Sequence, residues 1–102
     1  MVLLEFSITP LGVGESVSSQ VARCVELVDK SGLDYRLHAM GTTVEGELDQ
    51  VLELMRQCIE AVARDAKRIS VSAKLDYREG ATSRLEGKVK SVEQKLGRKL
   101  KT

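Results

Sequence analysis

A chain of 102 residues makes one domain of modest size, residues 1–102, which buries a smaller share of its surface than a larger protein does. Self-association is therefore a natural route to further stability. Sixteen basic residues against fifteen acidic ones leave no footprint for gripping a nucleic-acid backbone, and the basic cluster from Arg98 to Lys101 reads as a solvated helix end.

The first segment, Leu4 to Thr9, alternates apolar and polar residues, the period of a strand with one buried face carrying Leu4, Phe6 and Ile8. Pro10 is expected to end it, and Gly12 and Gly14 to open a loop. A helix follows, with Ser16 or Ser18 as its N-cap, Val17, Val21, Cys24, Val25 and Val28 on one face, and Gly32 as its stop. The period returns to two from Leu33 to Met40, with Leu33, Tyr35, Leu37 and Ala39 on one side and Asp34, Arg36, His38 and Met40 on the other. Gly41 breaks this strand, and Thr42 to Glu45 form a short third strand, an antiparallel partner across a tight turn. The clearest helix runs from about Glu47 to Arg64, with Leu48, Val51, Leu52, Met55, Ile59 and Val62 as its apolar stripe. Residues 67 to 77 alternate again, Ile69, Val71, Ala73 and Leu75 inward. Ser83 is placed to cap a last helix carrying Leu85, Val89, Val92 and Leu96, although Gly87 inside it costs about 1 kcal/mol relative to alanine.

The order βαββαβ plus a C-terminal helix is the ferredoxin-like α+β sandwich: a four-stranded antiparallel sheet with two helices on one face. That layout leaves a second sheet face bearing Leu3, Glu5, Ser7, Met40, Val44, Ser72 and Asp76. Too polar for a core and too apolar for a wet surface, this face is expected to pack on another subunit or to enclose a ligand.

Chemistry-bearing constellations are few. His38 is the single histidine and has no nucleophile beside it in sequence, so a surface or interface role outweighs that of a general base. Cys24 and Cys58 fall on the apolar stripes of helices and lack metal-ligand spacing, so they read as core, and neither a metal nor a cofactor is expected. Their small number also suits a reducing, cytoplasmic compartment. Glu5 in place of a basic leader segment argues against a signal peptide, and no apolar run approaches membrane length. Glu45 and Asp76 stand out as carboxylates within strands, able to bind a cation or a donor-bearing heterocycle, or else to pair with Lys74 or Arg78. The glycine-bearing loop from Leu11 to Ser18 leads into a helix N-terminus, but it has neither the Gly-Lys-Ser/Thr ending of a phosphate loop nor the third glycine of a dinucleotide fingerprint. The hydroxyls Ser16, Ser18, Thr42 and Thr43 sit in turns flanking the first three strands, where a fold can gather them.

With Pro10 to Ser18, Ser31 to Tyr35, Met40 to Gly46, Lys74 to Gly80 and Lys88 to Val92 in this order, the chain resembles the small thiamine-binding protein family across nearly its whole length. The resemblance implies a ferredoxin-like, non-enzymatic binder of thiamine or its hydroxymethylpyrimidine part, assembled as a tetramer of two dimers. It departs from the family's usual residues at Gln20, Ala39 and Ile59, where an aromatic residue, a proline and a histidine are common. A thiamine-like ligand needs a carboxylate, several hydroxyl or backbone groups and an apolar wall. The residues placed to supply them are Ser16, Ser18, Met40, Thr42, Thr43, Glu45, Asp76 and Arg78. The alternative is a structural or regulatory homo-oligomer without a small ligand, and a more distant one is an enzyme using His38 or Glu45.

Overall fold

The computed structural model describes residues 1–12, 18–80 and 82–102. Its elements are β1 (Val2–Leu11), α1 (Ser18–Lys30), β2 (Asp34–His38), β3 (Gly41–Gly46), α2 (Leu48–Ala63), β4 (Arg68–Tyr77) and α3 (Arg84–Leu96). The strands lie in the order β2-β3-β1-β4 and each neighbouring pair is antiparallel. β1 and β2 are thus parallel with β3 between them, and β3 and β4 are parallel with β1 between them. This is the split βαβ arrangement, α+β, that the alternating periods predict.

Alternation sets which face is buried. Val2, Leu4 and Phe6 of β1 join Val44 of β3, Val28 of α1, and Val51, Leu54 and Cys58 of α2 in one core cluster. Removal of each such large side chain from water is worth about 1.5–3 kcal/mol. Val44 was expected on the opposite face. It pairs with Leu4 and with Tyr35, so the odd-numbered residues of β3 face away from the helices and Val44 completes the core. The inward face of α2 is also rotated from the expected stripe: Val51, Leu54, Cys58, Ala61 and Val62 are buried, while Leu48 and Leu52 are exposed.

Local signals explain the helix ends. The backbone N–H of Glu47 donates to Gln50 Oε1 at 3.0 Å, securing the start of α2, and Arg64 caps its end. After α1, Ser31 Oγ donates to Val28 O at 2.6 Å and Gly32 takes φ +78°, the left-handed stop expected of it. Ser16, the other candidate cap of α1, lies outside the described residues, and α1 begins at Ser18.

Two expectations are corrected by the sheet. Pro10 does not end β1, which continues to Leu11. Beyond Phe6, β1 pairs with β4 alone among the described residues, and a proline is tolerated where one side of a strand is unpaired. Nor is the second sheet face free of helices: α3 lies across it, resting on β3 and β2.

Candidate functional site

The eight residues proposed from sequence are distributed over both sheet faces. Thr42 and Thr43 are consecutive on β3, so their side chains point to opposite sides. Thr42 is 8% exposed and faces the helices; Thr43 faces α3. Met40 sits at the tip of the β2–β3 turn and is 84% exposed. Glu45 and Asp76 share the α3 face, both flanking Leu3 of β1 in the register. Arg78 follows β4 and lines a hollow with Met1, Val2 and Tyr77. Ser18 starts α1, and Ser16 is outside the described residues.

On the α3 face the carboxylates are already engaged. Glu45 is 4% exposed, and its Oε2 accepts the backbone N–H of Arg84 at 2.8 Å. A carboxylate there satisfies one of the donors that a helix start leaves open and also suits the positive end of its dipole. Ser83, the expected cap, occupies the N-cap position with φ 55° and makes no side-chain cap bond. Glu45 takes over its task from 39 residues away. Asp76 pairs with the Arg84 guanidinium and, at 2.9 Å, with Lys88, while Arg84 Nη1 donates to Asp76 O at 3.1 Å. Lys88 above all, with Arg84, holds the Asp76 carboxyl below the usual aspartate range against the opposing effect of burial. The partners of Asp76 are thus Arg84 and Lys88 rather than Lys74 or Arg78. Arg84 is itself buried, and its Nε has no hydrogen-bond partner among the described residues.

The middle of the same face is similarly occupied. Arg36 donates to Glu86 at 2.9 Å, and His38 Nε2 lies 3.3 Å from Thr43 Oγ1 and 3.7 Å from Glu5. A nucleophile relay needs the hydroxyl and the acid on opposite ring nitrogens. Here both lie on Nε2. A cavity of about 710 Å³ opens between this face, α3 and the C-terminal segment, and much of its charged wall belongs to these pairs. Among the described residues, no group of three or more histidine, cysteine, aspartate or glutamate side chains is placed to hold a metal, and no helix is long and apolar enough to cross a membrane.

The other face differs at its hairpin end. β3 starts level with the middle of β1, so Ser7 to Leu11 have no ladder partner on that side among the described residues. A cavity of about 200 Å³ occupies this step. Phe6, Ile8, Cys24 and Leu37 give it an apolar wall, and Ser7, Thr9, His38 and Thr42 add polar groups. Gly41 makes the step possible: a Cβ there would stand 2.8 Å from the carbonyl oxygen of Phe6, so the turn packs directly on the β1 backbone. Met40 and Ala39, at the turn, complete the rim. Of the departures from the family pattern, Ala39 therefore borders the cavity. Gln20 is buried in the first turn of α1, where its Oε1 accepts from Ser19 Oγ at 3.0 Å, and Ile59 is half-buried on α2.

Sequence reasoning drew attention to the turn at Met40 to Thr42 but missed the apolar contributors, Phe6, Ile8, Cys24 and Leu37. They look like ordinary core residues; only the unequal lengths of β1 and β3 exposes them to a shared space.

Fold and cavity together define a ferredoxin-like α+β domain with a ring-sized recess where the sheet steps from four strands to two. The chain belongs to the thiamine-binding protein family, whose model matches residues 4–93. Relatives include a UPF0045 protein of Mycobacterium tuberculosis, 42% identical over 93% of this chain and 94% of that one. A UPF0045 protein of Synechocystis is 40% identical over 90% of this chain and 77% of its own length. Among solved structures, a hypothetical protein from Methanocaldococcus jannaschii superposes with a TM-score of 0.83 at 36% identity, covering 91% of this chain and 96% of that one. A Thermotoga maritima protein assigned provisionally to thiamine biosynthesis or salvage shares the fold, with a TM-score of 0.78 at 23% identity over 89% of this chain and 97% of that one.

Proposed function

We propose that this chain is a non-catalytic binder of a thiamine-related heterocycle, and that the cavity at the β2–β3 turn takes the aminopyrimidine part, hydroxymethylpyrimidine, in preference to whole thiamine. The observation that carries the preference is the location of charge. Thiamine bears a permanently cationic thiazolium, and the two strand carboxylates that suit it, Glu45 and Asp76, lie on the opposite sheet face bound to α3. No carboxylate lines the hairpin cavity among the described residues. An uncharged aminopyrimidine asks only for donors, acceptors and an apolar wall. The backbone of β1 from Ser7 to Thr9, which on its β3 side has no ladder partner among the described residues, supplies the former with Thr42, and Phe6, Ile8 and Leu37 the latter. At about 200 Å³ the space is below the 300–1,000 Å³ typical of drug-sized ligands, in keeping with a single substituted ring.

In this reading Met40 and Thr42 belong to the ligand end, while Thr43, Glu45, Asp76 and Arg78 support the fold around α3 or lie beyond it; Ser18 starts α1 outside the cavity lining, and Ser16 lies outside the described residues. Calorimetric titration with hydroxymethylpyrimidine and with thiamine tests it. Heat with the pyrimidine, weaker heat with thiamine, and an unchanged pyrimidine affinity in Glu45→Gln are expected. No heat with either compound overturns the reading, and tighter binding of thiamine that is lost in Glu45→Gln returns the site to the other face.

A homodimer or homotetramer formed through the sheet is part of the same proposal. Its support is β4, an edge strand of ten residues whose helix-side Val71 and Leu75 stay exposed, as do Leu48 and Leu52 of α2. Light scattering of the pure protein measures the subunit number directly, and a monomer at micromolar concentration would remove this part.

A further inference from the structure

Cys24 of α1 and Cys58 of α2 face one another across the helix layer. Cys24 Sγ lies 3.7 Å from the backbone oxygen of Cys58, and Cys58 Sγ lies 3.7 Å from the backbone oxygen of Cys24. This reciprocity places both sulfurs in one gap between facing helical turns. A disulfide needs Cβ atoms about 3.5–4.5 Å apart, and the two thiols, each within 3.7 Å of the other's backbone oxygen, are neighbours across the contact between α1 and α2. Both thiols are free.

Their surroundings are unequal. Cys58 is fully buried in the core, whereas Cys24 is half-buried and forms part of the hairpin cavity wall, so only Cys24 can be met by a small molecule entering there. Hydrogen bonding from the Cys58 thiol, helped by the charge of Arg23, lowers the pKa of Cys24 against the contrary effect of burial. The same contact, together with burial, pushes the Cys58 thiol up and keeps it protonated.

We infer that Cys24 and Cys58 form a redox-modifiable dithiol, in which Cys24 is oxidised by a hydroperoxide entering the hairpin cavity and Cys58 closes a disulfide that ties α1 to α2. In the first step the Cys24 thiolate attacks the peroxide, the O–O bond breaks, the sulfur is oxidised to a sulfenic acid, and the peroxide is reduced to an alcohol or water, taking up a proton. In the second, Cys58 attacks the Cys24 sulfur, the S–S bond forms, the S–O bond breaks, and the hydroxide departs with the Cys58 proton as water. A dithiol reductant reverses the bond by exchange. The inference is independent of which heterocycle the cavity binds.

The test treats the reduced full chain with hydrogen peroxide, alkylates the remaining thiols and maps the peptides by mass spectrometry. The expected result is loss of both alkylatable thiols and a Cys24–Cys58 cross-linked peptide that disappears on treatment with dithiothreitol. Cys58→Ala should stop at a Cys24 sulfenic acid captured by dimedone, and Cys24→Ala should leave Cys58 unreacted at the same dose. Retention of both thiols in the wild-type chain, a disulfide joining two chains, or undiminished reaction of Cys58 in Cys24→Ala overturns it. The wild-type map decides the matter even where a variant fails to fold.

Discussion

The two faces of this sheet treat polar residues in opposite ways. Under α3, Glu45, Asp76, Arg84 and Lys88 are joined in hydrogen bonds and ion pairs that position a helix. At the hairpin end of the other face, β1 leaves backbone groups outside the ladder among the described residues, beside a small cavity. The first cluster is richer in charge, yet nearly all of it is spent within the chain. Polar residues mark a candidate site only where the fold has not already paired them.

The largest test of this contrast is Gly41→Val. The new side chain would collide with the Phe6 backbone, which cannot move without disturbing β1, and urea unfolding should show a loss of about 3 kcal/mol together with loss of pyrimidine binding. Next, Glu45→Ala should cost about 2 kcal/mol by leaving the buried Arg84 N–H without its acceptor, while pyrimidine affinity, read by calorimetry, stays within twofold of wild type. Thr42→Val should do the reverse: a change in unfolding free energy below about 1 kcal/mol, with affinity down about tenfold for the loss of one hydrogen bond. If both variants weaken binding equally, the two faces are not separate in function.

The smallest effect concerns acid. The Asp76 carboxyl titrates lower in the folded chain than its ordinary 3.8, so the folded state favours the ionised form. The resulting stability is present above that ordinary value and is lost as pH falls through the lowered one. Unfolding midpoints taken from pH 5 down should fall in this window, and Asp76→Asn should flatten the fall. An unchanged slope would show that the pairing with Arg84 and Lys88 contributes nothing to stability.

Much of the fold was legible because burial in strands and helices leaves a period. Leu4, Phe6 and Ile8, the stop at Gly32 and the span of α2 follow from it directly. What failed was parity across tight turns and the reach of partners distant in sequence. Val44 was assigned to the wrong face because a turn resets the alternation, and only its pairing with Leu4 fixes it. Pro10 continues its strand because β1 has one neighbour there, a fact about strand order rather than about residues 9 to 11. In the candidate site, Met40 and Thr42 border the hairpin cavity, as a place at the turn leads one to expect, whereas nothing local announces that Glu45 meets Arg84. The apolar wall was invisible for the same reason, its members being chosen by where β3 stops.

The link from Glu45 to Arg84 also bears on the order of assembly. The first turn of α3 is held by a strand residue far away along the chain, its Arg84 and Lys88 pair with Asp76 of β4, and its body rests on β3 and β2, so the helix has no complete support until the hairpin and β4 are in the sheet. In native-state hydrogen exchange the amides of α3 should open at a lower free energy than those of β1, as a unit that docks last and departs first.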